Sequence, residues 1–193
     1  MNWDKQVRVV NKKARNATIN LQRVNHLVPF KSRLILYNSL VACHFNYADI
    51  VWGGCSKQNQ NKLQRTQNLA VKSMLGLKRE ESSESALQTA NLLPLNQKRK
   101  VHEAVFIKKG LAEKQPAAIN REYKQQLSLK NNRSGERRLL TIPKHRTQMY
   151  ENSTLYRTIK TWNSLPQILK NQETETSSFK KAYQKHLQKA ATY

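Results

Sequence analysis

Residues 34–53 read LILYNSLVACHFNYADIVWG and form the most apolar stretch of a very basic chain. Within it, apolar side chains and one histidine recur at the spacing of a helical face, at Leu36, Tyr37, Leu40, Val41 and His44. Residues with that spacing lie on one side of an α-helix. The stretch therefore predicts a buried amphipathic helix near the centre of the fold.

Three aromatic residues stand at the end of the same stretch. Phe45, Tyr47 and Trp52 crowd into one short segment, and Gly53-Gly54 then ends it. Aromatic side chains bury a large apolar area when they are interior. We expect these three residues to form a core on which the helices before and after them pack.

Residues 3–28 predict one long helix. Apolar residues alternate there in steps of four and three, at Trp3, Val7, Val10, Ala14, Ala17, Leu21, Val24 and Val28. The pattern makes one continuous apolar seam, and Pro29 ends the helix or opens the next one. A coiled-coil dimer and packing within the chain both fit such a seam. The small Ala14 and Ala17 suit close intramolecular packing at least as well.

Later helices are marked by the residues at their ends. Ser56 is a typical N-cap and Gly76 a typical C-cap, so a helix is predicted over residues 57–75. Further helices are predicted over residues 96–114, from Ser153 to the turn at 163–166, and from a cap at Thr176 or Ser177 onwards.

Composition changes sharply after these first helices. Over residues 115–136, Gln, Asn, Ser and Lys dominate and apolar periodicity disappears, as in a linker. Residues 139–142 then read LLTI, a short strand candidate ended by Pro143. We predict a mainly α-helical fold: a helical block at 1–114, a flexible basic linker at 115–136, and a smaller helical block at 137–193. At most a short strand pair accompanies the basic loop.

The charge of the chain points to a polyanionic partner. Lys and Arg number 35 against 12 Asp and Glu, which gives +23 at pH 7. Such a charge favours nucleic acid over a membrane surface. No run approaches a membrane span, and the first residues lack the apolar core of a signal peptide. With only two cysteines, a disulfide framework is excluded, and we expect an intracellular protein, nuclear or cytoplasmic.

Candidate phosphate-binding residues are the cations that lie away from the apolar faces or in the polar segment. They are Lys12, Lys13, Arg15, Lys62, Arg65, Lys72, Arg133, Arg137, Arg138, Lys144 and Arg146. A solvated basic face and a solvated tether remain the alternative interpretations of these residues.

Two clusters suggest a metal site but fit other roles better. Glu80, Glu81 and Glu84 stand among serines at a predicted helix start, where capping and the helix dipole favour acids. Cys43, His44 and Cys55 lack the compact spacing of a zinc knuckle. A glycine-rich phosphate loop is also missing from the sequence. We predict no resident metal or cofactor.

Several short motifs carry a resemblance to a known family. They are YNSL at 37–40, FNYA at 45–48, IVWG at 50–53, LQR at 63–65, IPKHRT at 142–147, WNSLP at 162–166 and SSFKKA at 177–182. In this order they resemble the region just past the catalytic palm of LINE-type (non-LTR) retrotransposon reverse transcriptases. The similarity extends over about residues 3–188. It implies a helical thumb-like block that grips the template–primer duplex.

The same resemblance implies that the catalytic machinery is missing. The family polymerises with two adjacent aspartates and a third upstream, which hold two Mg²⁺ ions. This chain has only two aspartates, Asp4 and Asp49, and neither lies in such a motif. The Mg²⁺ would therefore belong to the missing palm. We expect a non-catalytic fragment that binds RNA and DNA through phosphates. A protein-interaction module that docks the 3–28 seam on a partner, such as a palm, is the alternative; an enzyme of unknown type is a weaker one.

Overall fold

The computed structural model describes residues 3–112, 114–125, 139–171 and 175–190. The described chain is mainly helical, which confirms the predicted fold class. No described helix combines the length and hydropathy that a membrane span requires. The helices are α1 (Asp4–Val24), α2 (Phe30–Leu36), α3 (Cys43–Asn46), α4 (Asp49–Trp52), α5 (Lys57–Leu75), α6 (Ser83–Thr89), α7 (Leu95–Leu111), α8 (Ala117–Gln125), α9 (Gln148–Glu151), α10 (Thr154–Asn163), α11 (Gln167–Asn171) and α12 (Thr176–Ala190).

Packing divides the chain into two compact units, residues 1–99 and 100–193. The dividing point falls inside α7, whereas the sequence placed the end of the first block at residue 114. Each unit is described separately below.

The predicted seam of α1 forms the centre of the first unit. Val7, Val10, Ala14 and Leu21 are buried among the helices of this unit. Thr18 is also buried among them. Its hydroxyl group can be buried because it donates a 2.8 Å hydrogen bond to the Ala14 carbonyl and so does not require water as a partner. The α-helix is shorter than predicted: it ends at Val24, and a 3₁₀ turn over Asn25–Leu27 follows.

A π-helical segment over Tyr37–Ala42 joins α2 to α3 and corrects the predicted apolar face. The wider π turn shifts the helical phase, so Ala42 and Phe45 turn inward. Leu40, which an unbroken α-helix would bury, is 41% exposed. The prediction that Leu40 faces the core was therefore wrong, while Tyr37 and Val41 are buried as expected.

Tyr47 also differs from the prediction. Tyr47 is 77% exposed, whereas Phe45 and Trp52 are buried. Because α3 ends at Asn46, the backbone of Tyr47 is extended and the following Ala48 adopts a left-handed conformation, with φ of 50°. The Tyr47 carbonyl accepts a 2.7 Å hydrogen bond from the indole nitrogen of Trp52. Tyr47 therefore contributes its backbone carbonyl to the core, while its side chain is exposed.

Helix α5 has the predicted bounds and the predicted caps. The Ser56 side chain accepts from the Asn59 amide, and Gly76 has a φ of 74°. The Gly76 and Leu77 amides bond back to the Ser73 and Lys72 carbonyls, which is the pattern of a Schellman C-cap. A residue with a Cβ is strained at this φ, so glycine is required here for conformational reasons.

The second unit contains a helix where the sequence predicted a linker. α8 occupies residues 117–125, and the remainder of the predicted linker lies outside the described residues. Gly110 lets the buried Tyr123 ring lie directly on α7, since a Cβ at Gly110 would sit 2.7 Å from the ring. Packing of Tyr123 onto this glycine therefore helps to hold α8 on α7.

Asn163 in the WNSLP motif anchors Leu140, just before residues 142–146, which we call the basic loop. Its side-chain amide donates to the Leu140 carbonyl at 2.9 Å and accepts from the Leu140 amide at 3.0 Å. The predicted strand is reduced, within the part described, to an isolated bridge at Leu140. Trp162 and Leu165 of the same motif are buried, as expected for Trp162.

An ion pair stabilises the interior of the second unit. Glu103 on α7 accepts from the Arg157 guanidinium at 3.0 Å and from the Thr161 hydroxyl at 2.7 Å. Both charged side chains are largely buried, with 10% and 15% of their surface exposed. The pair fixes α10 onto α7 within this unit.

Candidate nucleic-acid interface

A stripe of cations extends along the exposed side of α1. Lys5, Arg8, Lys12, Arg15 and Arg23 are all exposed, and their spacing keeps them on one side of the helix. At a rise of 1.5 Å per residue, the stripe is about 27 Å long. That length corresponds to about eight base pairs of duplex at 3.4 Å each.

The α1 stripe borders a polar seam between α1 and α5. The Asn59 amide group donates to the Asp4 carboxylate at 2.6 Å, and the Thr66 hydroxyl donates to the Asn11 side chain at 2.5 Å. Both bonds join residues 55 apart, so the two helices run parallel. Asp4 and Asn11 thereby fix which side of α1 faces α5.

Cations from both helices lie beside this seam. On α1, Arg8 and Arg15 are one turn before and after Asn11; on α5, Lys62 is one turn before Thr66. None of these three cations donates a hydrogen bond or joins an ion pair within the part of the chain that the structure describes. We call Arg8, Lys12, Arg15 and Lys62 the α1–α5 basic face.

The remaining candidates of the first unit lie elsewhere. Lys13 is exposed, but it projects about 100° from Lys12 and about 160° from Arg15, on the other side of α1. Arg65 is exposed farther around α5. Lys72 is half-buried, and its ammonium donates to the Arg79 carbonyl at 2.8 Å. Lys72 therefore stabilises the turn after α5 through this hydrogen bond.

In the second unit, Lys144 and Arg146 are exposed on the basic loop, and Arg133, Arg137 and Arg138 lie outside the described residues. A further basic stripe was missed by the sequence reasoning. Lys181, Lys185 and Lys189 are exposed on α12 at steps of four. Their i, i+4 spacing was the available signal, since it places them on one face opposite the buried Phe179.

His145 holds the basic loop in place. One ring nitrogen faces the Glu151 carboxylate at 3.0 Å and the other faces the Pro143 carbonyl at 3.3 Å. The ring also contacts Tyr156 edge-on at 4.7 Å between centroids and stacks with Tyr150 at 5.9 Å. His145 therefore anchors the loop to α9 through Glu151 and Tyr150 and to α10 through Tyr156.

Both acceptors favour the protonated ring, because only an imidazolium can donate from both nitrogens. The hydrogen bond to Glu151, followed by that to Pro143, raises the pKa of His145 above its ordinary value. The stabilisation from this contact is complete below the ordinary histidine pKa and is lost as the pH rises through the raised one.

The clusters considered for metal binding have other neighbours. Glu81 accepts from the Lys78 amide at 2.8 Å, and Ser82 caps α6 with Glu84 in its first turn. Cys43 is exposed and Cys55 is buried. Over residues 3–112, 114–125, 139–171 and 175–190, no group of three His, Cys, Asp or Glu side chains is placed to hold a metal ion.

Comparison with known proteins gives no family. A scan against protein-family models, a search of curated proteins and a search of solved structures each found no match. The chemistry of the α1–α5 basic face and of the basic loop is therefore the basis for a functional proposal.

Proposed function

We propose that this chain is a non-catalytic nucleic-acid-binding protein that contacts the phosphates of a duplex through the α1–α5 basic face. The observation that carries the proposal is the alignment of Arg8, Lys12 and Arg15 along one side of α1, beside Lys62 of α5. Exposed cations at helical spacing on a rigid scaffold are suited to bind a regular array of phosphates. The formal charge of +23 supports a polyanionic partner.

The proposed role is that of a thumb-like region downstream of a reverse transcriptase palm of the non-LTR type. This part of the proposal rests on the order of the short motifs, above all IPKHRT, WNSLP and SSFKKA. RNA and DNA are the proposed partners, so the site of action would be intracellular, in the nucleus or the cytoplasm.

The non-catalytic part of the proposal is supported by where the aspartates lie. Asp49 is 4% exposed in the short helix α4, and Asp4 accepts from Asn59 at the polar seam. Two-metal phosphoryl transfer needs carboxylates that converge on a shared pair of ions. We therefore propose that a polymerase palm, and its Mg²⁺, would have to come from another polypeptide or another segment.

The alternative, a module that docks through the 3–28 seam, lacks the surface that it needs. Val7, Val10, Ala14 and Leu21 are at most 5% exposed and pack within the first unit. A partner could reach them only if α1 left its own core.

Two single substitutions on adjacent residues test the proposed face. Lys12→Gln should weaken binding to an RNA–DNA duplex several-fold, because it removes a cation from the face. Lys13→Gln removes the same charge from a residue that is also exposed but lies on the other side of α1, and it should leave the affinity nearly unchanged. Fluorescence anisotropy of a labelled duplex at moderate salt measures both.

Equal effects of the two substitutions would show that net charge, and no particular face, governs binding. Absence of any binding by the parent protein would refute the proposed function itself.

A further inference from the structure

A shallow surface recess lies along the basic loop in the second unit. The recess is lined by Ile142, Pro143, Lys144, His145 and Arg146. Ile142 is 42% exposed there, so the recess presents apolar surface to solvent beside two cations. A concave site with an apolar lining and a few charged groups is the usual form of a small-ligand site.

The loop separates its cations from its anchors. Lys144 and Arg146 are exposed, while Pro143 and His145 are half-buried. His145 therefore holds the loop in place while its two neighbours, Lys144 and Arg146, are exposed to solvent.

The recess is preorganised at both ends. Asn163 holds the backbone of Leu140 through two hydrogen bonds, and Glu151 binds His145. A site whose geometry is fixed before binding loses less conformational entropy when the ligand arrives. A small ligand group that combines an apolar face with negative charge on either side would suit this recess.

We propose that residues 142–146 form a subsite for one nucleotide of a single-stranded nucleic acid, with the base packed on Ile142 and Pro143 and the adjoining phosphates bound by Lys144 and Arg146. The proposal rests on the nucleic-acid-binding function proposed above. A single strand is required because a base in a duplex is covered by its neighbours and its partner, whereas an unstacked base can enter a recess. Trp162 is an aromatic residue of the kind that can stack on a base, but it is only 4% exposed and is therefore part of the core.

Photo-crosslinking of the full chain tests the location directly. The probe is single-stranded oligouridylate that contains 4-thiouridine, and crosslinked peptides are identified by mass spectrometry. Crosslinks should concentrate on the peptide that carries residues 142–146. Crosslinks confined to other segments, from a protein that does bind the probe, would overturn the subsite and leave the proposed function standing.

A matched pair of substitutions tests the chemistry of the recess. Ile142→Ser should weaken binding of the single strand about fivefold and leave duplex affinity unchanged, because packing against a base is lost. Ile168→Ser makes the same change at an isoleucine that is 75% exposed on α11, and it should leave both affinities unchanged. Equal affinities of the two variants for the single strand would overturn the subsite. A parent protein that binds neither probe would instead refute the proposed function.

Discussion

Trp52→Ala is expected to lower the free energy of unfolding by about 3–5 kcal/mol, the range for large aromatic side chains removed from a core. Trp52 is 2% exposed, and its indole nitrogen donates to the Tyr47 carbonyl at 2.7 Å. The Arg99 guanidinium lies 5.0 Å from the centre of its ring. The substitution therefore leaves a cavity, an unpaired carbonyl and a buried cation without its aromatic neighbour. Urea denaturation followed by circular dichroism measures the loss.

Tyr47→Ala is the matched control for this prediction. Tyr47 is an aromatic residue of the same segment, but it is 77% exposed. Its removal should cost no more than about 0.5 kcal/mol, as for other surface substitutions, and the carbonyl that binds Trp52 remains. Should Tyr47→Ala prove as destabilising as Trp52→Ala, the packing described for this segment is wrong.

Glu103→Ala is expected to destabilise the second unit by a similar amount, about 3–5 kcal/mol, because it leaves a buried guanidinium without its counter-charge. Glu103 accepts from both Arg157 and Thr161. Burial, and after it the charge of Glu103, raises the pKa of Tyr183 to about 12. The same substitution should therefore lower the pKa of Tyr183. Thermal melting and alkaline absorbance titration measure the two effects.

Two further variants isolate the ion pair. Glu122→Ala removes an acid from an exposed position of α8 and should be nearly neutral. Glu103→Leu combined with Arg157→Leu removes both charges together and should cost less than Glu103→Ala alone. A Glu103→Ala protein as stable as the Glu122→Ala protein would mean that the ion pair contributes nothing to this unit.

Local signals were sufficient to predict some helices. The bounds of α5 follow from Ser56 and Gly76, because a side-chain cap and a left-handed glycine both act within one turn of the helix. The buried side of α1 followed equally well from its periodicity. These features depend on residues close in the chain, which is why one sequence is enough to find them.

Other features depend on contacts that sequence spacing does not encode. The π segment at Tyr37–Ala42 shifts the helical phase, so the periodicity that placed Leu40 inside failed. Helix α8 forms where Tyr123 packs on Gly110, although its own composition resembles a linker. The anchoring of His145 by Glu151 requires α9, a four-residue helix that the sequence analysis did not predict.

The candidate interface was predicted in part. Exposure of Lys12 and Arg15 follows from the apolar seam of α1, and exposure of Lys62 follows from the buried side of α5, which includes Leu63 and Ala70. The sequence does not show that these three cations lie on the same side of the helix pair. That placement depends on the parallel register of α1 and α5, which the Asn11–Thr66 hydrogen bond fixes. Lys13 and Lys72 were candidates because periodicity places them away from the apolar faces of α1 and α5. The structure places Lys13 on the opposite side of α1 from the basic face and Lys72 against a carbonyl.

Salt dependence of duplex binding tests the central claim most directly. The variant to compare with the parent changes all four residues of the α1–α5 basic face, Arg8, Lys12, Arg15 and Lys62, to Gln. A control variant with the same loss of charge changes Lys13, Lys57, Lys78 and Arg79 to Gln, all of which are exposed elsewhere in the first unit.

The logarithm of the binding constant should fall linearly with the logarithm of the salt concentration, by about 0.9 for each duplex phosphate neutralised. We expect the slope of the face variant to be shallower than that of the parent by up to about 3.6, and the control to stay within about one unit of the parent. A parent whose affinity does not respond to salt, or two variants with equal slopes, would contradict phosphate binding by this face.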